Sequence, residues 1–225
     1  MSWQPIWLSL QVAAASLFLV VIFGLAWAWS LRRWDIPGKA LLEALFTLPL
    51  VLPPVVTGFC LLLLLGRQGP LFWLFGDQAQ LVFTPYAAVL AGAVVSFPLM
   101  YQNAKASLHS VDPHLEDAAR TLGASELRVF FTISLPLAWP GVAAGCILSF
   151  ARALGEFGAT IMVAGNIPGK TQTLPLAIYF ASEANDLTLA GLYVLLISGI
   201  TFSMLFFLNH WQRRLQHKEA RSCSM

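Results

Sequence analysis

The sequence predicts an all-α integral membrane protein with about five transmembrane helices, the N-terminus outside and the C-terminus cytoplasmic. Three observations predict it. Hydrophobic residues make up 58% of the 225-residue chain and charged residues 11%, less than half the roughly 25% of soluble domains. The apolar residues gather in five runs, each long enough at about 20 residues per crossing to span a bilayer. The basic residues divide unevenly between the loops. Ten of them (Arg32, Arg33, Lys39, Lys105, Arg120, Arg128, Arg213, Arg214, Lys218, Arg221) fall on one side, and two, Arg67 and Lys170, on the other. Cytoplasmic loops carry the excess of Lys and Arg, which fixes the orientation.

The chain reads as one domain, 1–225, with spans at roughly 8–31, 44–65, 85–104, 137–163 and 187–211. No charged side chain precedes Arg32, so the start lacks the basic region of a secretory signal and serves as the first span. Trp3 and Trp7 suit its outer interface, and Arg32 and Arg33 its inner end. The second span contains Pro49, Pro53 and Pro54. Prolines there mean either a packing kink or a helix broken beside a water-filled path, where freed carbonyls find partners. An external loop, 67–85, carries interfacial Phe72, Trp73 and Phe75. In the fourth span Gly141 and Gly145 have the spacing that lets helices approach closely. A second external loop, 164–186, contains a candidate interfacial helix, Leu174 to Glu183. Arg213, Arg214, Lys218 and Arg221 make a basic cytoplasmic tail after the fifth span.

Between the third and fourth spans lies a polar stretch, 105–136, with a helical grammar of its own. Asp112 and Pro113 form an N-cap and a first-position proline. Glu116 and Asp117 sit near the positive end of the helix dipole. Leu115, Ala118, Ala119 and Leu122 recur at i, i+3, i+4 and i+7, giving one small apolar face. Gly123 fits the position just past the helix end, Ser125 can cap a second helix, and Pro136 marks the entry to the next span. By pattern alone this is an amphipathic surface helix, a turn and another helix outside the membrane.

Site chemistry is sparse. Ala164-Gly165-Asn166-Ile167-Pro168-Gly169-Lys170-Thr171 fits a loose phosphate-loop pattern, but it lacks the preceding strand that such a loop requires and lies outside; it reads as a Pro-Gly turn. The four histidines are scattered and the three cysteines lack metal-ligand spacing, so no metal site and no catalytic set is expected. The basic tail suits membrane anchoring, not nucleic acid. Arg152 and Glu156 are the charges placed within a span, four apart and able to meet on one helix face. An arginine at a helix centre costs roughly 2.5–3.5 kcal/mol to insert. It serves either as an ion-paired structural residue or as a weak anion contact, with Glu156 limiting how tightly an anion is held. Thr57, Ser96, Arg152 and Glu156 are the candidates for lining a translocation path.

Asp117-Ala118-Ala119, three residues, Gly123, nine residues and Ile133-Ser134-Leu135-Pro136 resemble the EAA loop of ABC importer permeases, with Asp117 standing for the leading glutamate. The resemblance implies that Glu116, Asp117, Ala118, Ala119, Arg120, Leu122, Gly123, Ile133, Leu135 and Pro136 form a coupling element seated in an ATP-hydrolysing subunit. Further stretches, Leu48 to Gly58, Ser96-Phe97-Pro98, Ala119 to Ala124 and Ala151 to Thr160, are similar to molybdate ABC transporter permeases. That likeness implies a homodimer in a bacterial inner membrane, two ATPase subunits that carry ATP and Mg, a periplasmic molybdate-binding protein, and no cofactor bound by this chain itself. Molybdate, tungstate and sulfate are tetrahedral dianions that the residues do not separate physically, so a sulfate permease is the alternative within the class. A stand-alone secondary anion transporter is the alternative outside it.

Overall fold

In the computed structural model, residues 2–33, 37–67, 69–75 and 81–222 are described, with backbone alone for 71, 74, 75 and 212–222. The described residues form helices and connecting turns, with no strand among them. Four helices are long and apolar enough to cross a membrane, and a bent pair makes a fifth candidate.

Helix α1, Gln4–Arg33, runs unbroken through the first expected span and past both of its ends. The second expected span, 44–65, is two helices, α2 (Lys39–Val51) and α3 (Pro54–Leu65), that meet at 118°. The cause is Leu52-Pro53-Pro54. Leu52 and Pro53 each precede a proline and are driven to extended backbone, with ψ 142° and 135°, and Pro53 has no N–H to continue α2. Pro54 then opens α3 at the first helical position, where a missing N–H is harmless. A short helix α4, Pro70–Phe75, follows.

Helix α5, Pro85–His109, lies at the centre and packs against α1, α2 and α3. Its outer half is built of Ala87, Ala88, Ala91 and Gly92, so neighbouring backbones come close. The Ser16 hydroxyl of α1 uses that closeness to donate to Val89 O at 2.8 Å. In a bilayer such internal satisfaction of hydroxyls replaces solvation.

Next come α6, Pro113–Thr121, and α7, Glu126–Val129. The expectation that α7 would be a separate helix with the fourth span starting near 137 needs correction. The helix continues from Glu126 through a π turn, Phe130–Ser134, into α8, Leu135–Leu154. In the π turn the Leu135 N–H reaches back to Phe130 O. Pro136 has no N–H for Thr132 O and its ring crowds that carbonyl, so the backbone widens there. The polar stretch outside the spans is correspondingly shorter than 105–136.

The far end of this span also departs from expectation. Helix α8 stops at Leu154, and after Gly155-Glu156-Phe157 a short helix α9, Gly158–Ala164, starts afresh against α3 and α5. The turn after α9 is closed by Thr171, whose hydroxyl accepts from Ile167 N at 3.0 Å and donates to Gly165 O at 3.2 Å. Helix α10 has the expected bounds, Leu174–Glu183, and buries Leu174, Leu176, Ala177 and Ala181 against the bundle. The Leu174 N–H donates to Ser9 Oγ of α1 at 2.6 Å. Helix α11, Leu187–Ser222, is the last among the described residues. The side chains of the expected basic tail, like Cys223, lie outside what is described.

Two cores follow the length of α5. One, near the arginine end of α1, holds Leu31, Tyr101, Ala104, Leu108, Phe130 and Val142. The other holds Val12, Ala88, Ala91, Val95, Ala159 and Val163. Gly141 and Gly145 bring α8 onto α5 as their spacing predicts: a Cβ on Gly145 would stand 3.0 Å from Asn103 Cβ and 3.1 Å from Met100 Sδ, and one on Gly141 would meet Ser107. Gly191 on α11 faces open space. Gly145→Leu should therefore destabilise the detergent-solubilised protein by about 1–3 kcal/mol, the usual cost of overpacking, while Gly191→Leu leaves the thermal midpoint unchanged.

Candidate coupling surface and translocation path

The α6 segment is built as its sequence dictates. Asp112 caps it, accepting from His114 N at 2.9 Å, with Pro113 in the first turn. Its other end closes with Gly123 at φ 84°, the left-handed conformation that favours glycine. Gly123 N donates to Arg120 O at 2.9 Å and Ala124 N to Ala119 O at 3.1 Å, the paired bonds of a Schellman ending.

The helix turns most of its apolar face away from the bundle. Leu115 is 49% and Leu122 89% exposed, Ala118 is exposed and Ala119 half-buried. What α6 buries is a charge: Glu116 is 7% exposed. Arg32 Nη1 of α1 donates to Glu116 Oε1 at 2.7 Å, and the Ser134 hydroxyl donates to the same oxygen at 2.6 Å. Arg120 Nη2 approaches Oε2 at 3.4 Å. Glu116 thus belongs to the inner attachment of α6, not to its outer face, a correction to its expected place on the coupling surface.

Around this centre the charges alternate. Arg120 donates to Asp117 at 2.5 Å and to Glu126 at 3.2 Å. Glu126 also pairs with Arg33, whose guanidinium lies 5.3 Å from the Trp29 ring centroid. Burial weighs against the Arg120 charge, but the bond to Asp117 and the carboxylates of Glu126 and Glu116 outweigh it, and its pKa is raised. Ile133, Leu135 and Pro136 stand apart from the α6 face: Ile133 lies in the π turn, and Leu135 and Pro136 begin α8, with Leu135 packed on the inner core.

The path candidates separate into two places. Arg152 stands in the last turn of α8, not at a helix centre, and Glu156 lies beyond the helix end set by Gly155. They meet across the break: Arg152 Nη1 donates to Glu156 Oε2 at 2.7 Å, while Oε1 accepts from Ala159 N of α9, also at 2.7 Å. Glu156 therefore joins α8 to α9; the expectation of two residues on one helix face gives way to a bridge between two helices. Its side chain is 2% exposed and that of Arg152 30%. On the adjoining α3, Thr57 is buried with a hydroxyl that has no partner, and its neighbour Gly58 approaches the Ala159 backbone. Ser96 is elsewhere, fully enclosed between α5 and α8. It donates to Gly92 O at 2.6 Å, and Ser149 donates to its carbonyl at 3.3 Å.

Comparison with known proteins agrees with this architecture. The family described as binding-protein-dependent transport system inner membrane component matches residues 20–218. The chain belongs to that family. Among its relatives, YvgM of Bacillus subtilis strain 168 is 52% identical over 91% of each chain. The molybdenum transport system permease ModB of Escherichia coli K12 is 45% identical over 97% of this chain and 96% of ModB; the sulfate permease CysT of the same organism is 36% identical over 95% and 82%. In fold the permease resembles a bacterial ABC transporter that imports alginate, with a TM-score of 0.76 at 17% identity, covering 95% of this chain and 80% of the other.

Sequence reasoning placed α6 as a helix but missed that Glu116 turns inward. The signal for that was Arg32, a basic residue able to claim a carboxylate at the same membrane face. Stranding one charge of a buried pair costs about 3–5 kcal/mol, whereas an exposed pair contributes about 0–1 kcal/mol. Arg32 and Glu116 have side chains 11% and 9% exposed, Arg33 and Glu126 28% and 44%. Arg32→Gln should accordingly lower the thermal midpoint in detergent several times more than Arg33→Gln.

Proposed function

We propose that this chain is the membrane permease of an ATP-driven importer that carries molybdate, with tungstate as a close analogue, across a bacterial inner membrane. It works as a homodimer. Two ABC ATPase subunits seat against α6 on the cytoplasmic side and hold ATP and Mg; a periplasmic molybdate-binding protein docks at the opposite end. The observation that carries the reading is the outward apolar face of Leu115, Ala118 and Leu122. A small apolar face turned from its own protein and rimmed by charge is suited to another protein's cleft. The greater likeness to ModB than to CysT supports molybdate over sulfate as cargo.

In this mechanism the ATPase pair closes on ATP and draws the two α6 helices together, and the spans change from inward-facing to outward-facing. The anion passes between subunits near the symmetry axis. Arg152 is the attractive contact and Thr57 a weak hydroxyl partner. Glu156 takes up part of the Arg152 guanidinium, so a dianion is attracted but not trapped; the remaining N–H groups of the guanidinium are free to touch it. Ser96 is proposed to reach the path only in another state of the spans, since here it is enclosed.

Three outcomes are expected. The complex reconstituted with ATPase and binding protein takes up molybdate only with ATP, with tungstate competing far better than sulfate; equal competition by sulfate contradicts the cargo. Arg152→Ala, inserted and assembled normally, slows uptake about tenfold. Gly123→Trp, whose side chain enters the open space beside Gly123, loosens ATPase association more than Gly123→Ala, which meets only the backbone penalty of a positive φ, as measured by co-purification.

A further inference from the structure

We infer that Glu116 is the joint through which movement of α6 enters the membrane bundle, and that it drives α1 and α8 together. The inference rests on the ABC permease reading. Helix α6 buries no apolar side chain; what it buries is Glu116. A force on its outer face therefore has little hydrophobic packing through which to pass inward.

Glu116 Oε1 is shared by two spans. Arg32 at the end of α1 and Ser134 in the π turn that heads α8 both donate to it, at 2.7 and 2.6 Å. Arg32 is itself steadied by a second bond, Nη2 to Val111 O at 3.4 Å, just ahead of α6. Apolar contacts allow helices to slide, while charge-assisted bonds to one oxygen fix direction as well as distance. The carboxylate accordingly ties α6, α1 and the head of α8 into one body.

Helix α1 is suited to carry that movement onward. It is an unbroken 30-residue helix, about 45 Å long at 1.5 Å per residue. It is buried at intervals from Ser9 to Leu31. At its far end Ser9 holds the first N–H of α10, so a displacement at Arg32 has a polar attachment at the opposite face of the bundle. Glu116 is in this sense a positioning residue, acting through Arg32 and Ser134 and touching neither nucleotide nor cargo.

The test is the amount of molybdate moved per ATP hydrolysed by the full complex in vesicles. The wild-type complex is the reference; if it shows no ATP-driven uptake, the functional reading fails and not the joint. Glu116→Gln keeps the shape of the side chain but loses its charge. It should lower the ratio about tenfold, the scale of coupling between linked sites. A residue that only holds the fold would reduce uptake and hydrolysis in equal proportion, and an unchanged ratio overturns the inference. If Glu116→Gln does not assemble, Arg32→Lys decides. It keeps the charge but cannot reach both Glu116 and Val111 O, and should lower the ratio by a smaller factor; an unchanged ratio there overturns the inference equally.

Discussion

A carboxylate turned inward fixes how the Arg32 end of this permease is assembled. Successive residues of a helix are 100° apart. Once Glu116 points at Arg32 and Ser134, Ala118 and Leu122 must point away from the bundle and Leu115 flanks them. The burial of one charge thereby exposes an apolar face. Neither half of that arrangement is favourable alone: an unpaired buried carboxylate is costly, and an exposed Leu122 wins nothing from water. Arg32 resolves the first within the chain, and the proposed ATPase cleft resolves the second.

The same demand that polar groups find partners in lipid shapes the rest of the bundle. Ser16, Ser96, Asn103 and Ser107 all donate to main-chain carbonyls at 2.6–2.8 Å. Where the helical ladder is interrupted, something replaces it. The π turn answers the missing N–H of Pro136, and Glu156 supplies an acceptor to the start of α9. Among the described residues Thr57 and Thr173 keep buried hydroxyls without a partner, and Thr57 lies close to the break at Pro53, on the helix that packs against α9. The interrupted backbone and the Thr57 hydroxyl thus adjoin α9, which Glu156 ties to the partly exposed Arg152.

Much of this was legible in the residues and some was not, for physical reasons. Asp112-Pro113 and Gly123 announced the ends of α6 because capping is local chemistry. Pro53 and Pro54 announced a break but not its 118° angle, which depends on what α3 packs against. Leu135-Pro136 suggested where a span begins; the helix starts earlier because a π turn absorbs one proline without ending the ladder. Arg152 and Glu156 were legible as a pair and misread as one helix face, since a glycine such as Gly155 inside an apolar run can end a helix or be tolerated within it. On α6 the one misplaced residue was Glu116, expected with the outer face and found buried against Arg32 and Ser134. Apolar periodicity says which residues share a face; it does not say which charge beside that face a distant arginine will claim.

The most direct measurement is a photo-crosslinking scan along α6. Single cysteines at positions 113–122, in a chain with Cys60, Cys146 and Cys223 replaced, would carry a short photoreactive probe in the assembled complex. Capture of the ATPase subunit should peak at 115, 118 and 122 and be absent at 116. Equal capture from every position, or a maximum at 116, would contradict the orientation on which the account depends.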